Sequence, residues 1–161
     1  MLCQKPIECK RTGIGVPVLL LLGIVILDQL TKIWIQSSMT LGMSIPVVKD
    51  VFHITYILNP GAAFGILENQ QVFFIVVGLA IVAAAVYFYP ALRKENGWIR
   101  YGASLLMGGA VGNLIDRIQN GLVIDFFDFR IWPVFNVADI AIVVGVGCII
   151  YALLFKADLK R

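Results

Sequence analysis

Charge is scarce in this chain. Lys, Arg, Asp and Glu make up 14% of its 161 residues, whereas apolar residue types make up 60%. An ordinary soluble domain has about 25% charged and about 45–50% apolar residues. A chain of this length has too small an interior to hide so much apolar surface from water. The composition therefore excludes a soluble globular enzyme and a disordered chain, and it predicts a compact integral membrane protein with one folding unit.

Cysteine and histidine are also scarce. The three cysteines, Cys3, Cys9 and Cys148, form no disulfide framework and no C-x-x-C metal motif. His53 is the single histidine, which disfavours both a zinc site built from protein ligands and a nucleophile activated by histidine. No basic stripe lies on a soluble face, so nucleic acid is not expected as a partner. We therefore expect a site without metal or cofactor.

Four apolar segments are long enough to cross a bilayer, which requires about 20 residues. They cover approximately residues 14–35, 71–92, 98–115 and 136–155. The predicted fold class is membrane α-helical, with four transmembrane helices and a small extracytoplasmic β-rich loop region. That region consists of residues 37–70 and 116–135, in which the segments 47–58 and 122–135 are rich in the β-branched and aromatic residues typical of strands.

The basic residues predict the orientation of the spans, because cytoplasmic loops carry an excess of Lys and Arg. Nine of them fall on one side: Lys5, Lys10, Arg11, Arg93, Lys94, Arg100, Lys156, Lys160 and Arg161. Three fall on the other side: Lys49, Arg117 and Arg130. Both termini are therefore expected in the cytoplasm, and both β-rich loops outside it.

Charged residues at membrane depth are costly, so each is a functional candidate. Asp28 and Lys32 are four residues apart on one face of the first span, where they can form an ion pair or contact a substrate directly. Asn113 and Arg117 are also four residues apart and can point into one cavity. Asp116 closes the third span, and Gly108, Gly109 and Gly112 before it favour close helix packing.

Asp125 and Asp139 are the most informative acidic residues. Asp125 follows the third span and Asp139 begins the fourth, so both are expected at the outer boundary of the membrane, where their carboxyl groups can meet. Two carboxyl groups that share a site hold one proton between them and can hydrolyse an amide without metal or histidine. Asp139 is equally explained as an acidic residue in the first turn of a helix capped by Asn136. Asp128 is expected to face solvent.

Five motifs, in order along the chain, resemble lipoprotein signal peptidase, the bacterial type II signal peptidase family. They are D-x-x-x-K from Asp28, N-x-G-A-A-F from Asn59, G-G-A-x-G-N-x-x-D-R from Gly108, V-I-D-F from Val123 and F-N-x-A-D from Phe135. The resemblance covers residues 14–155. Some relatives have a longer segment between the last two motifs, which affects the shape of this outer loop.

The resemblance implies an aspartic endopeptidase of the bacterial cytoplasmic membrane. Its expected substrate is a prolipoprotein that carries diacylglycerol on the lipobox cysteine, cut on the N-terminal side of that cysteine. It assigns the catalytic pair to Asp125 and Asp139 and support of the fold and site to Asp28, Lys32 and Asp116. Residues that line the site and position the substrate would be Asn59, Gly109, Asn113, Arg117 and Asn136. Inhibition by the cyclic peptide globomycin, contact with membrane lipid and a monomeric state are expected as well.

Two other classes fit parts of the pattern. A small transporter or proton relay would use intramembrane carboxylates, but it requires them near the midplane of the bilayer, whereas here they crowd one surface. A non-catalytic assembly or lipid-binding bundle would tolerate loss of Asp125. Cleavage of a lipidated precursor by the purified protein distinguishes the peptidase from both.

Overall fold

A computed structural model of the protein describes residues 15–61 and 70–155. Within these ranges the chain forms helices α1 (Gly15–Ser38), α2 (Gln71–Leu92), α3 (Gly97–Asn120) and α4 (Val137–Phe155), and strands β1 (Ser44–Val48), β2 (Phe52–Asn59) and β3 (Val123–Asp128). Outside the described residues lie the motif residues Ala62, Ala63 and Phe64, together with Cys3, Cys9 and the basic residues Lys5, Lys10, Arg11, Lys156, Lys160 and Arg161. The orientation of the spans therefore stays a prediction.

Three helices in the described part of the chain, α1, α2 and α4, are long and apolar enough to cross a membrane. The predicted third span, α3, is less apolar and buries Asn113 and Asp116. It packs against each of the other three helices, and this packing buries both polar side chains. A fourth crossing by α3 stays a prediction.

Glycines let α3 and α4 approach each other closely, as the sequence predicted. A Cβ atom at Gly109 would collide with the carbonyl oxygen of Ala138 in α4, and one at Gly102 would lie 2.7 Å from the carbonyl oxygen of Gly145. This approach places the start of α4, including Asp139, directly beside α3.

Gly109→Ala is expected to lower the free energy of unfolding by about 1–3 kcal/mol, because the added methyl group forces α3 and α4 apart. The matched control is Gly147→Ala in α4, where an added Cβ has no atom within 4 Å. This change should be neutral or stabilising by about 0.5–1 kcal/mol, since alanine is the better helix former. Unfolding followed in detergent micelles checks both values, and equal effects of the two substitutions would contradict the close-packing argument.

The β-rich loops form one small antiparallel sheet with strand order β1-β2-β3, which confirms that these loops are rich in β-structure. Asp125 pairs with Ile57 and Val123 pairs with Asn59, so Asn59 and Asp125 are diagonal neighbours across β2 and β3. Tyr56, Ile124 and Phe126 pack with Ile35 and Met39 at the end of α1. This apolar cluster fixes the sheet against the helices and thereby fixes the position of Asp125.

α3 is longer than the predicted span 98–115 and continues to Asn120, so Asp116 and Arg117 are helical. The helix ends at Gly121, which has φ 75° and donates its N–H to the carbonyl oxygen of Arg117. One local expectation was wrong. Asp128 is buried instead of facing solvent. Its carboxylate accepts hydrogen bonds from the hydroxyl of Thr55 and from the backbone N–H and guanidinium of Arg130, which replace water as its partners.

Candidate active site

The first turn of α4 is closed by a reciprocal cap between Asn136 and Asp139. The Asn136 side-chain oxygen accepts the N–H of Asp139 at 3.0 Å, and Oδ2 of Asp139 accepts the N–H of Asn136 at 3.1 Å. This is the geometry of a capping box, with asparagine and aspartate in its two positions. The capping interpretation of Asp139 is therefore correct as a local description, and it leaves one oxygen of Asp139 for other partners.

Asn136 also joins Asp139 to Asp125. Its side chain is fully buried, and its Nδ2 donates to Oδ1 of Asp125 at 2.7 Å. The same Nδ2 lies 3.1 Å from Oδ1 of Asn113 and 3.2 Å from the carbonyl oxygen of Ile124. A single asparagine thus touches both aspartates, which brings together the two carboxyl groups singled out in the sequence.

Asp125 is almost completely buried, with 1% of its surface exposed. Burial, followed by repulsion from the charge of Asp139, raises the pKa of Asp125 to about 7. Hydrogen bonds from Asn59 and Asn136 and the positive charge of Lys32 oppose this rise. The Asn59 bond joins its Nδ2 to Oδ2 of Asp125 at 2.8 Å. Asp125 is therefore partly protonated near neutral pH and can exchange its proton there, beside an acidic neighbour.

The second oxygen of Asp139 is held by Asn113 from α3. Nδ2 of Asn113 donates to Oδ1 of Asp139 at 2.8 Å, while its own Oδ1 accepts a hydrogen bond from the Lys32 ammonium at 3.0 Å. Each of the four carboxylate oxygens of Asp125 and Asp139 consequently accepts one N–H from an uncharged amide. The side chain of Asn113 lies between the Lys32 ammonium and Asp139.

Lys32 is buried between two carboxylates. Its Nζ lies 2.8 Å from Oδ2 of Asp28 and 2.8 Å from Oδ2 of Asp116. The ion pair between Asp28 and Lys32 expected from their spacing is confirmed, and Asp116 is a third member that the spacing did not reveal. Gln29 was also missed, although it is a polar residue in an apolar span, and its Nε2 donates to Oδ1 of Asp116 at 2.9 Å.

Arg117 lies at the side of the site nearest to Asn59. Its Nη2 donates to the carbonyl oxygen of Gly61 at 3.0 Å, and Gly61 donates its own N–H to the side-chain oxygen of Asn59 at 2.9 Å. The guanidinium carbon lies 4.6 Å from the centre of the Phe74 ring, a cation–π contact. No feature of the sequence pointed to Phe74, because it is one of many apolar residues in α2.

The structure brings most predicted site residues into one connected network. Its members are Asp28, Lys32, Asn59, Asn113, Asp116, Arg117, Asp125, Asn136 and Asp139. Gly109 lies apart from these polar contacts, at the α3–α4 contact beside Ala138. Residues 15–61 and 70–155 contain no cluster of three or more His, Cys, Asp or Glu side chains that could hold a metal ion.

The fold is that of a membrane enzyme. A bacterial membrane enzyme structure determined by the in meso method at 2.3 Å resolution matches with a TM-score of 0.83 and 39% identity, over 92% of this chain and 93% of that chain. A second such structure, at 1.9 Å resolution, matches with a TM-score of 0.79 and 40% identity, over 89% and 96% of the two chains.

The sequence model of the family described as signal peptidase (SPase) II matches residues 20–155, and this chain belongs to that family. It is 48% identical over 135 residues to the lipoprotein signal peptidase of Pelotomaculum thermopropionicum, which covers 84% of this chain and 89% of the relative. It is 47% identical over 143 residues to the lipoprotein signal peptidase of Clostridioides difficile, which covers 87% and 94%. The resemblance stated from the five motifs is thus confirmed.

Proposed function

We propose that this chain is an aspartic endopeptidase that removes the signal peptide from diacylglyceryl-modified prolipoproteins. The cut falls on the N-terminal side of the lipidated lipobox cysteine, and the water is activated by Asp125 and Asp139. The observation that carries this proposal is that Asn136 donates hydrogen bonds to both carboxyl groups. Membership of the signal peptidase II family supports it independently.

The pair can perform acid–base hydrolysis of an amide. Ionised Asp139 takes a proton from a water molecule while the oxygen of that water attacks the scissile carbonyl carbon. Protonated Asp125 donates its proton to the carbonyl oxygen. The tetrahedral intermediate then collapses when the proton on Asp139 passes to the leaving nitrogen and the C–N bond breaks. The proton on the intermediate's hydroxyl returns to Asp125, so the pair regains its starting state.

Neighbouring polar groups suit the positioning of an extended substrate. Asn59 and Arg117 are linked through Gly61 at one side of Asp125, where further N–H groups of the guanidinium can hold a substrate carbonyl oxygen. Asn113 and Asn136 position the carboxylate oxygens of Asp125 and Asp139 by donating hydrogen bonds to them. Gly109 contributes indirectly, because it allows the start of α4 to lie against α3.

The depth of the site fits a lipid-anchored substrate. Asp125 lies in the sheet and Asp139 in the first turn of α4, so both lie at the same end of the helices. Acyl chains of a diacylated substrate remain in the bilayer and hold the scissile bond near its surface. We propose that this end faces outward from the bacterial cytoplasmic membrane, with both termini in the cytoplasm and a monomeric enzyme in contact with lipid.

The direct test is incubation of the purified protein with a prolipoprotein in diacylglyceryl-modified and unmodified forms. Mass spectrometry should detect release of the signal peptide and a product that begins at the modified cysteine, from the modified form only. Globomycin should inhibit the release. A transporter or a lipid-binding bundle would leave both precursors intact, and that result would overturn the proposal.

The pH dependence of kcat/KM should show an alkaline limb near pH 7. Asp125 must carry the proton, and its pKa is raised to about 7, so activity is present below this pH and is lost as the pH rises through it. Asn59→Ala removes a hydrogen bond that lowers this pKa, and the limb should therefore move to higher pH. Asn120→Ala, at the exposed end of α3, is the control and should leave the limb in place. A limb that moves downward in Asn59→Ala would contradict the assignment of the proton to Asp125.

A further inference from the structure

Two backbone N–H groups connect the buried ionic residues to the segments that carry Asp125 and Asp139. Oδ2 of Asp116 accepts the N–H of Ile124 at 3.2 Å, and Oδ1 of Asp28 accepts the N–H of Ala138 at 2.9 Å. Ile124 directly precedes Asp125 in β3, and Ala138 directly precedes Asp139 in α4. Each of the two carboxylates thus holds the residue before one member of the pair.

Lys32 connects these two carboxylates. Its Nζ lies 2.8 Å from an oxygen of Asp28 and 2.8 Å from an oxygen of Asp116, and the three side chains are at most 3% exposed. We call Asp28, Lys32 and Asp116 the ionic trio. Since all three members come from the neighbouring helices α1 and α3, they form a rigid reference against which β3 and α4 are placed.

Lys32 also determines how the amide of Asn113 is oriented. An ammonium group only donates hydrogen bonds, so the amide oxygen of Asn113 must face it, as the 3.0 Å contact records. The NH₂ group of Asn113 then faces Oδ1 of Asp139, an acceptor. The ionic trio therefore acts on Asp139 through two routes, the backbone of Ala138 and the side chain of Asn113.

We infer that the ionic trio is a positioning device that sets the separation of the Asp125 and Asp139 carboxyl groups. This inference rests on the proposed function, because the separation matters only when both groups act on one water molecule. Misplacement of a reacting group by about 1 Å can lower a rate by about 100-fold. A bracing role without positioning would change the amount of folded protein and leave the chemistry of the folded fraction unchanged.

Asp28→Asn tests the α4 side of the device. The two oxygens of Asp28 serve different donors, Oδ1 the N–H of Ala138 and Oδ2 the ammonium of Lys32. Asparagine has one oxygen and must lose one contact. We expect kcat to fall by about 100-fold with little change in KM. The alkaline limb should move to lower pH, because a wider pair weakens the repulsion from Asp139 that raises the pKa of Asp125.

Two substitutions at Asp116 test the β3 side. A single oxygen, Oδ2, accepts from both Lys32 and Ile124, so the oxygen of Asp116→Asn can keep both contacts. The other oxygen, Oδ1, accepts from Gln29, and this bond is lost in both Asp116 variants, so it does not distinguish them. Asp116→Leu removes the same charge and keeps neither contact. We expect Asp116→Asn to retain most of the wild-type kcat with an unmoved alkaline limb, and Asp116→Leu to show the losses expected of Asp28→Asn.

Thr31→Val is the control on α1, since the Thr31 hydroxyl donates to the carbonyl oxygens of Leu27 and Asp28 within its own helix. The folded fraction of every variant is measured in micelles, and kcat is expressed per folded molecule.

Equal kcat values and equal alkaline limbs in the two Asp116 variants would overturn the inference, as would a folded Asp28→Asn with the wild-type limb. If Asp28→Asn does not fold, the Asp116 pair decides alone. Asp125→Asn is assayed in parallel, because normal cleavage by it would reject the proposed function itself.

Discussion

Asp125→Asn and Asp139→Asn are each expected to lower kcat for prolipoprotein cleavage by about 1000-fold or more. An amide at position 125 holds no transferable acidic proton, and an amide at position 139 is too weak a base to take one from water. The shape of each side chain is kept, so the substrate should still bind. Cleavage is measured under single-turnover conditions on a diacylglyceryl-modified precursor.

The matched control for this experiment is Asp128→Asn. Asp128 is a buried carboxylate on the same strand as Asp125, and its partners are Thr55 and Arg130 instead of members of the proposed catalytic pair. We expect this variant to keep the wild-type kcat. Each asparagine at 125 or 139 leaves a buried N–H donor without an acceptor, which costs about 1–3 kcal/mol, so the folded fraction must be measured. Wild-type cleavage by either variant would refute the assignment of the pair.

Lys32→Met is expected to lower the free energy of unfolding by about 3–5 kcal/mol, because it leaves two buried carboxylates without their cation. Asp28 and Asp116 each lie 2.8 Å from the ammonium that is removed. The control is Lys49→Met, which removes an exposed positive charge in the turn between β1 and β2 and should change stability by less than about 0.5 kcal/mol. Chemical unfolding in mixed micelles measures both.

A second comparison separates the loss of the cation from the loss of side-chain volume. Asp116→Asn combined with Lys32→Met removes one of the two stranded charges, so the double variant should be more stable than Lys32→Met alone. A double variant that is less stable, by the sum of both single losses, would show that the two residues act independently.

Residue types at membrane depth made much of the site predictable. Asp28 and Lys32 are four residues apart in an apolar helix, and a helix of known pitch places them on one face. Asn136 and Asp139 stand at cap positions before an apolar run, which predicts their contact. In both cases the partners are close in sequence, so the backbone geometry of one helix suffices.

Contacts between elements were not predictable in the same way. The pairing of Asp116 with Lys32, the bond from Ala138 to Asp28 and the contact of Arg117 with Phe74 join distant segments of the chain. Their formation depends on the angle and register at which helices and strands pack, which composition and periodicity do not specify. The prediction that Asp128 faces solvent failed for the same reason, since Thr55 on the neighbouring strand donates a hydrogen bond to its carboxylate.

The way in which the pair is held has a consequence for inhibitors and for resistance to them. The four oxygens of Asp125 and Asp139 each accept one amide N–H, and a carboxylate oxygen has room for a second donor. Under the proposed mechanism, an inhibitor hydroxyl in the place of the water would use the same remaining lone pairs. A substitution that excludes this hydroxyl would also exclude the water, so drug resistance arising within the pair should carry a loss of enzyme activity.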